Sequence, residues 1–395
     1  MPESSRTRPR VALVGHGIHD HGGMERAFAE LIRRIHRRYE VVVLATDLGE
    51  DLRDLVQWRR IPAPARPAPL RFVVFYAIAA VRLTTARADL VHTLNAIVPN
   101  RADVASVHFC TTGYAERAGR LAPPDAPALR RLNTALARLL MLAAERWTYR
   151  HGRVGCLAAV SRGVARELER NFPGVPTALT PNGVDRARFR PDPEARREVR
   201  RALRIPDEEV VALFVGGDWD GKGLALAIRG VAQASSGSAT SVRLLVVGRG
   251  DERRFGALAR GLGIEHRVTF LGPRADPERF YAASDVYLLP SSYETFSLAA
   301  FEAAASGLPI VAAPVSGVED LVGDNKAGLL VDLDADRLAA ALSALADDPA
   351  ARSRLGAAAR KRSATYTWKC STDAVLAVYG SILDAPVSRL EAVAT

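Results

Sequence analysis

Short β-branched runs alternate with stretches of helical period along the whole chain. Val11–Val14, Val41–Ala45, Leu90–His92, Val104–His108 and Leu157–Val160 are apolar and of a length that suits buried strands. Between them the spacing predicts helices over Met24–Arg37 and Ala128–Arg150, and Ser161 stands where it would cap a helix running through Glu169. The turn-rich stretch Thr180-Pro181-Asn182-Gly183-Val184-Asp185 leaves no room for a helix, and after it the alternation restarts. Val210–Val215, Val242–Val247, Val268–Phe270, Val286–Leu289 and Ile310–Ala312 are the strands of this second half. Its helices are expected near Lys222–Gln233, Glu252–Gly261, Asp276–Ser284 and Phe296–Ser306. The Pro/Ala segment 61–69 is expected to be a rigid loop.

Such alternation predicts an α/β fold with parallel sheets, in two doubly wound, Rossmann-like halves joined near residues 183–190. Ligands of doubly wound sheets lie outside the carboxyl ends of the strands. Functional residues should therefore follow strands, and two such halves imply a cleft between them.

Composition narrows the class. The longest apolar run, Phe72–Val81, is about half of the ~20 residues that cross a bilayer. The opening Met-Pro-Glu-Ser-Ser-Arg has no apolar stretch behind it, so no secretory signal is expected. Cys110, Cys156 and Cys370 are scattered without metal spacing, which fits a reduced, cytoplasmic protein. The net charge of +10 is lopsided: residues 1–185 hold 27 Arg against 17 Asp plus Glu, and the remainder balances. An anionic partner would account for this, such as a membrane surface, a phosphorylated acceptor or nucleic acid, and so would an Arg-biased composition with only 4 Lys. Ala128–Arg150 poses the same choice. Its leucines at helical spacing, with Arg130, Arg131 and Arg138 among them, suit a helix lying on anionic lipid. They also suit a helix packed on its sheet with a solvated basic face, and this second alternative is the expected one.

The chemistry concentrates after predicted strands. Leu289 to Leu298 follows a strand and opens a helix, whose free N–H groups and dipole suit a diphosphate. Glu294 and, eight residues on, Glu302 would stand roughly 10 Å apart, a span for two ends of one nucleotide sugar. Carboxylates accept from vicinal hydroxyls. Gly216-Gly217-Asp218-Trp219-Asp220-Gly221-Lys222-Gly223 follows another strand; its glycines permit close backbone approach and Lys222 can neutralise a phosphate. His108 ends a strand and can face a ligand or be a core histidine. His16, His19 and His21 lack companion Cys or carboxylate spacing, so no metal is expected. Gly15-His16-Gly17 and Gly248-Arg249-Gly250 both lack the third glycine of a dinucleotide fingerprint, which removes the main support for hydride transfer.

Glu294 to Glu302, followed by Ala303-Ala304-Ala305-Ser306-Gly307-Leu308-Pro309, resembles the E-x7-E signature of family 4 of the retaining glycosyltransferases. Gly22-Gly23-Met24-Glu25, Ser106-Val107-His108, Val160-Ser161, Pro181 to Asp185 and Trp368 resemble other motifs of that family in the same order. The resemblance implies a GT-B fold, with an acceptor-side domain over 1–185, a donor-side domain over 186–371, and a C-terminal helix, about 372–395, crossing back to the first. It implies catalytic roles for His108, Lys222 and Glu294. Gly22, Gly23, Gly216, Gly217, Lys222, the Phe296, Ser297 and Leu298 amides, and Glu302 would bind the donor. The implied reaction moves a hexose from a nucleoside diphosphate sugar to a small, glycan or lipid-linked hydroxyl acceptor with retention. It needs no metal or other cofactor, and no nucleic acid is expected as a partner. The loop 216–223 resembles members using UDP-sugars. Many members carry Arg after the first glycine of that loop, where this chain has Gly217; Arg249 or Arg274 is then expected to supply the second charge. A nucleotide-sugar epimerase and a non-catalytic sugar binder are the alternatives. Weak contact with an anionic membrane through the basic half, on the inner face, completes the expectations.

Overall fold

A computed structural model describes residues 8–117, 127–237 and 241–384. The opening hexapeptide, and any part of the C-terminal helix beyond 384, lie outside the described residues. The chain divides into two compact units, one running to Asn182 and taken up again at Trp368, the other spanning Gly183–Thr367. The boundaries expected after 185 and 371 fall a few residues further along.

The first unit contains β1 (Arg10–Val14), β2 (Gly17–Ile18), β3 (Glu40–Ala45), β4 (Asp47–Leu48), β5 (Gln57–Arg60), β6 (Leu90–Leu94), β7 (Ala102–Val107), β8 (Val154–Ala159) and β9 (Thr177–Leu179). Seven of these form a parallel sheet in the order β5-β3-β1-β6-β7-β8-β9, and β2 pairs with β4. Helices cover the sheet, which is why its central strands read as unbroken apolar runs. These are α1 (Gly23–Ile35), α2 (Ala68–Thr84), α3 (Thr111–Arg117), α4 (Ala128–Thr148) and α5 (Arg162–Asn171). The Ser161 side chain accepts from the Val164 amide at 3.2 Å and so caps α5 as expected.

Three expectations need correction here. α2 starts at Ala68, inside the segment expected to be a loop, because Pro69 falls in its first turn, where proline displaces no helical hydrogen bond. β7 ends at Val107, so His108 lies just past the strand. The leucine stripe of α4 is not packed on the sheet: Leu129, Leu132, Leu136 and Leu139 are 79%, 57%, 46% and 62% exposed. The face of α4 turned inward carries Ala144, Glu145 and Thr148 instead.

The second unit alternates α6 (Pro193–Ala202), β10 (Val210–Val215), α7 (Leu224–Gly237), β11 (Val242–Val247), α8 (Glu252–Gly261), β12 (Val268–Gly272), α9 (Pro277–Ala283), β13 (Val286–Leu289), α10 (Leu298–Ala305), β14 (Ile310–Ala312), α11 (Val318–Val322), β15 (Gly328–Leu330), α12 (Ala335–Asp347) and α13 (Pro349–Ser363). Its parallel sheet has six strands in the order β12-β11-β10-β13-β14-β15. The strand order reverses between β10 and β13, which creates a crevice at their carboxyl ends. α7 and α12 pack closely enough that a Cβ on Gly230 would stand 2.8 Å from a Leu338 methyl.

The last helix, α14 (Trp368–Leu383), returns to the first unit, where Val375, Val378 and Tyr379 join its core. The Tyr379 hydroxyl is fully buried and sits 2.7 Å from Nδ1 of His92, whose Nε2 is 2.8 Å from the Ser106 hydroxyl. A buried phenol needs such a partner. We predict that Tyr379→Phe, which strands one side of the His92 ring, lowers the urea-unfolding free energy by about 1–3 kcal/mol. An unchanged midpoint would show that the bond does not hold the helix.

Candidate active site

In the second unit the glycine loop leaves β10 and the Glu294 loop leaves β13, on the two sides of the reversal in strand order. They meet there. Nζ of Lys222 lies 2.6 Å from Oε1 of Glu294, with the two side chains 22% and 12% exposed. The Ser292 amide donates to the Gly221 carbonyl at 3.1 Å, and the Ser291 hydroxyl donates to the same oxygen at 3.2 Å. Gly223, at φ 77°, is required by this contact: a Cβ there would stand 2.0 Å from the Pro290 carbonyl oxygen. Gly216 admits the Lys222 stem, since a Cβ would stand 2.3 Å from its Cδ. Trp219 is buried on Phe255 and Phe270, and its indole donates to the Gly216 carbonyl at 2.9 Å. The loop is thus anchored in the core and presents its cation at the crevice. Lys222 itself precedes α7, which begins at Leu224 and not at the lysine, as the spacing had implied.

α10 begins at Leu298, two residues later than expected, because Ser297 takes a left-handed backbone at φ 63° that turns the chain into the helix. Phe296 and Ser297 therefore belong to the turn, and only Leu298 to the helix. Their N–H groups stand where no preceding helical turn can accept from them. The Phe296 ring is buried and stacks on Phe301 at 4.1 Å, which leaves its backbone at the turn. Glu302, in the middle of α10, is half-buried, and the Tyr281 hydroxyl donates to its Oε2 at 3.0 Å. Burial, and then the charges of Glu294 and Glu302, push the Tyr287 phenol well above its ordinary value. Both glutamates therefore act on one buried ring.

Gly217 borders open space, with no atom within 4 Å of an added Cβ. Of the cations proposed to compensate for it, Arg274 is engaged with Asp276 at 3.0 Å. Arg249 is exposed in the loop after β11, the neighbour of β10.

The candidate residues of the first unit have surroundings of their own within that unit. Gly22, at φ 96°, is the residue before α1, and Gly23 is the first of the helix. A Cβ on Gly22 would stand 2.4 Å from a Glu25 carboxylate oxygen. His108 is 7% exposed and borders a small cavity of about 20 Å³ together with His92, Thr180, Asn182 and Trp368. Its amide donates to the Asn95 side chain at 2.9 Å, as does that of Phe109 at 3.2 Å. Burial depresses the His108 imidazole to about 4, and burial followed by the charge of His108 depresses His92 to about 3. Both rings are neutral at physiological pH.

Sequence reasoning missed Asn95 and Tyr281, the residues that hold the His108 loop and Glu302. Each works through a partner distant in the chain. Tyr281 carried a weak signal, since a tyrosine within the apolar run Phe280–Ala283 must find a hydroxyl partner.

Two units, each a parallel α/β sheet covered by helices, have the GT-B fold, as the solved structures similar to this chain show. The crystal structure of WaaG, a glycosyltransferase involved in lipopolysaccharide biosynthesis, matches with a TM-score of 0.77 at 22% identity, over 93% of this chain and 98% of that one. Anabaena Alr3699/HepE in complex with UDP-glucose matches with a TM-score of 0.71 at 19% identity, over 94% and 99%. In sequence, residues 21–188 match the family model Glycosyltransferase Family 4, and residues 195–362 the model Glycosyl transferases group 1. The D-inositol 3-phosphate glycosyltransferase of Acidothermus cellulolyticus is 32% identical over 93% of this chain and 87% of its own. Other relatives bearing that name align over about half of their own length. The chain belongs to glycosyltransferase family 4.

The buried histidines predict a pH dependence of stability. Their native pKa values lie below the unfolded value of about 6.5, so below that pH the unfolded chain binds more protons. Stability is full above about pH 6.5 and falls as pH drops toward 4, by up to about 1.4 kcal/mol per pH unit for each ring. Urea titrations at pH 7 and pH 5 measure this, and His92→Asn should reduce the difference, leaving the share of His108. An equal loss in that variant would remove His92 from the account.

Proposed function

We propose that this glycosyltransferase moves a hexose from a UDP-sugar to a hydroxyl acceptor with retention of configuration, the second unit holding the donor and the first the acceptor. The observation that carries the proposal is the Lys222–Glu294 pair at the strand-order reversal, beside the start of α10. An ammonium has three N–H donors, so Lys222 can keep Glu294 and still take a phosphate oxygen. The amides of Phe296, Ser297 and Leu298 face the other phosphate oxygens, in the manner of anion sites at helix starts. Glu294 accepts from hydroxyls of the transferred sugar. Glu302, oriented by Tyr281, accepts from the ribose. UDP is preferred on the resemblance of loop 216–223 and on the UDP-glucose held by the Anabaena protein.

Glu294 is committed to Lys222, which makes it a poor nucleophile toward the anomeric carbon. The chemistry proposed is attack on the same face. The bond from the anomeric carbon to the diphosphate oxygen breaks, the bond to the acceptor oxygen forms, and the acceptor proton passes to the leaving phosphate. Lys222 and the α10 amides hold the charge that develops on that phosphate. With a lysine and a helix start in this role the reaction needs no divalent metal. His108, neutral and buried, is the first-unit residue proposed to hydrogen-bond the sugar.

A second contact is favoured by α4. Its leucines point outward beside Arg131 and Arg146, and the excess positive charge lies in the same half of the chain. We therefore place an anionic membrane surface against α4. Among the described residues no helix is long and apolar enough to cross a membrane.

Calorimetric titration with UDP is expected to show micromolar binding, weakened at least tenfold (~1.4 kcal/mol) by Glu302→Ala and by Lys222→Ala. Gly217→Arg should fold normally and tighten it. Absence of UDP binding overturns the donor site, and conversion of donor without any acceptor overturns transfer. Sedimentation with phosphatidylglycerol vesicles should carry the protein down at low salt and fail for the triple variant Leu132→Gln, Leu136→Gln, Leu139→Gln; no sedimentation of the parent removes the membrane contact.

A further inference from the structure

A pocket of about 320 Å³ opens in the first unit beside the start of α1, between α2 and α4. It takes residues from the segments that follow β1, β6 and β7, the edge of a doubly wound sheet where ligands bind. Its wall is mostly apolar: Met24, Phe72, Leu94, Ile97, Phe109 and Met141. Four ionisable groups border it, His16, Glu25, Arg71 and Glu145.

These four do not make a phosphate site. One guanidinium stands against two carboxylates, so a dianion gains one cation and meets two like charges. Glu145 is occupied internally, accepting from the Thr111 amide at 2.6 Å and from the Thr112 amide and hydroxyl at 3.0 and 2.8 Å. Arg71 makes no ion pair among the described residues. His16 is held against Phe75 with 4.1 Å between ring centres, and its Nδ1 is sealed in the protein without a partner among the described residues. The hydrogen-bonding capacity this ring can offer a ligand is therefore at Nε2. Burial, helped by the charge of Arg71, depresses its imidazole to about 4, so it meets a ligand uncharged.

A polyol phosphate fits this wall badly. Each ring hydroxyl buried against Phe72, Ile97 or Phe109 without a partner costs on the order of 1–3 kcal/mol. An alcohol with an alkyl or aryl body fits it well, because the apolar part gains from burial and one or two hydroxyls suffice for Arg71, His16 and Glu25.

We propose that this pocket takes the acceptor, and that the acceptor is an uncharged amphipathic alcohol, an apolar body bearing a hydroxyl head, and not a sugar or polyol phosphate. The inference rests on the transfer reaction and on the first unit as its acceptor side. It separates this chain from its relatives named for inositol 3-phosphate.

The test is calorimetry on the full chain with 1-O-octylglycerol below its micelle-forming concentration, with myo-inositol 3-phosphate, and with UDP. Ala137→Trp fills the pocket from the half-buried side of α4, and Met141→Trp is a second variant should the first misfold. Ala135→Gln alters only an exposed position of the same helix. The octylglycerol should bind saturably, at least tenfold more weakly to either tryptophan variant and unchanged to Ala135→Gln, with UDP binding equal throughout. Three results overturn the proposal: no saturable octylglycerol binding, binding that follows Ala135→Gln instead, or myo-inositol 3-phosphate binding that the tryptophan variants abolish. Absence of UDP binding in the parent chain would instead strike the donor assignment, and the octylglycerol titration would still report on the pocket.

Discussion

In a parallel sheet every strand delivers its carboxyl end to the same edge, and the loops along that edge crowd one another except where the strand order reverses. In the second unit the reversal falls between β10 and β13, and the chain sets an ion pair across it. Much of the local structure follows from that pair. Gly216 lacks a side chain so that the lysine stem can pass, Gly223 lacks one so that the loop can lie on Pro290, and Trp219 anchors the loop to the core. A half-buried ammonium and carboxylate gain little net stability once desolvation is counted, since most of their attraction repays lost hydration. Their value is positional: each fixes the other at the mouth of the crevice.

The central strands were legible because buried parallel strands are unbroken apolar runs. Val210–Val215, Val242–Val247, Val286–Leu289 and Ile310–Ala312 occur with the bounds the sequence predicts. Of the edge strands, Val268–Phe270 was legible by its apolar run, and β5 was not. Gln57-Trp58-Arg59-Arg60 pairs on one side only and keeps a polar composition with no apolar run to announce it. The start of α10 was misplaced because propensity does not foresee a serine in the left-handed region, a conformation that only the surrounding packing imposes.

The candidate site was legible in its residue types and illegible in its pairings. Glu294, Glu302 and Lys222 stood out by spacing and by their place after strands. That Lys222 meets Glu294 across 72 residues, or that Tyr281 reaches Glu302, depends on tertiary register that no local pattern encodes. α4 is the instructive failure. Its leucine periodicity was correctly helical, but periodicity identifies an apolar face without saying what that face meets, and here it meets solvent.

The route of the chain has a consequence for the order of assembly. The second unit is one uninterrupted stretch, Gly183–Thr367, whereas the first is completed only by α14. During synthesis the segment made first is thus the segment finished last. Until Trp368 and the residues after it leave the ribosome, His92 has no Tyr379 and the surface that receives α14 stays uncovered. The second unit has by then been released whole and can close its own core. Domains are commonly completed from the amino end during translation, and this connectivity inverts that schedule. Chains cut short before α14 would carry a complete second unit attached to an unfinished first one, exposing the apolar surface that quality-control proteases recognise.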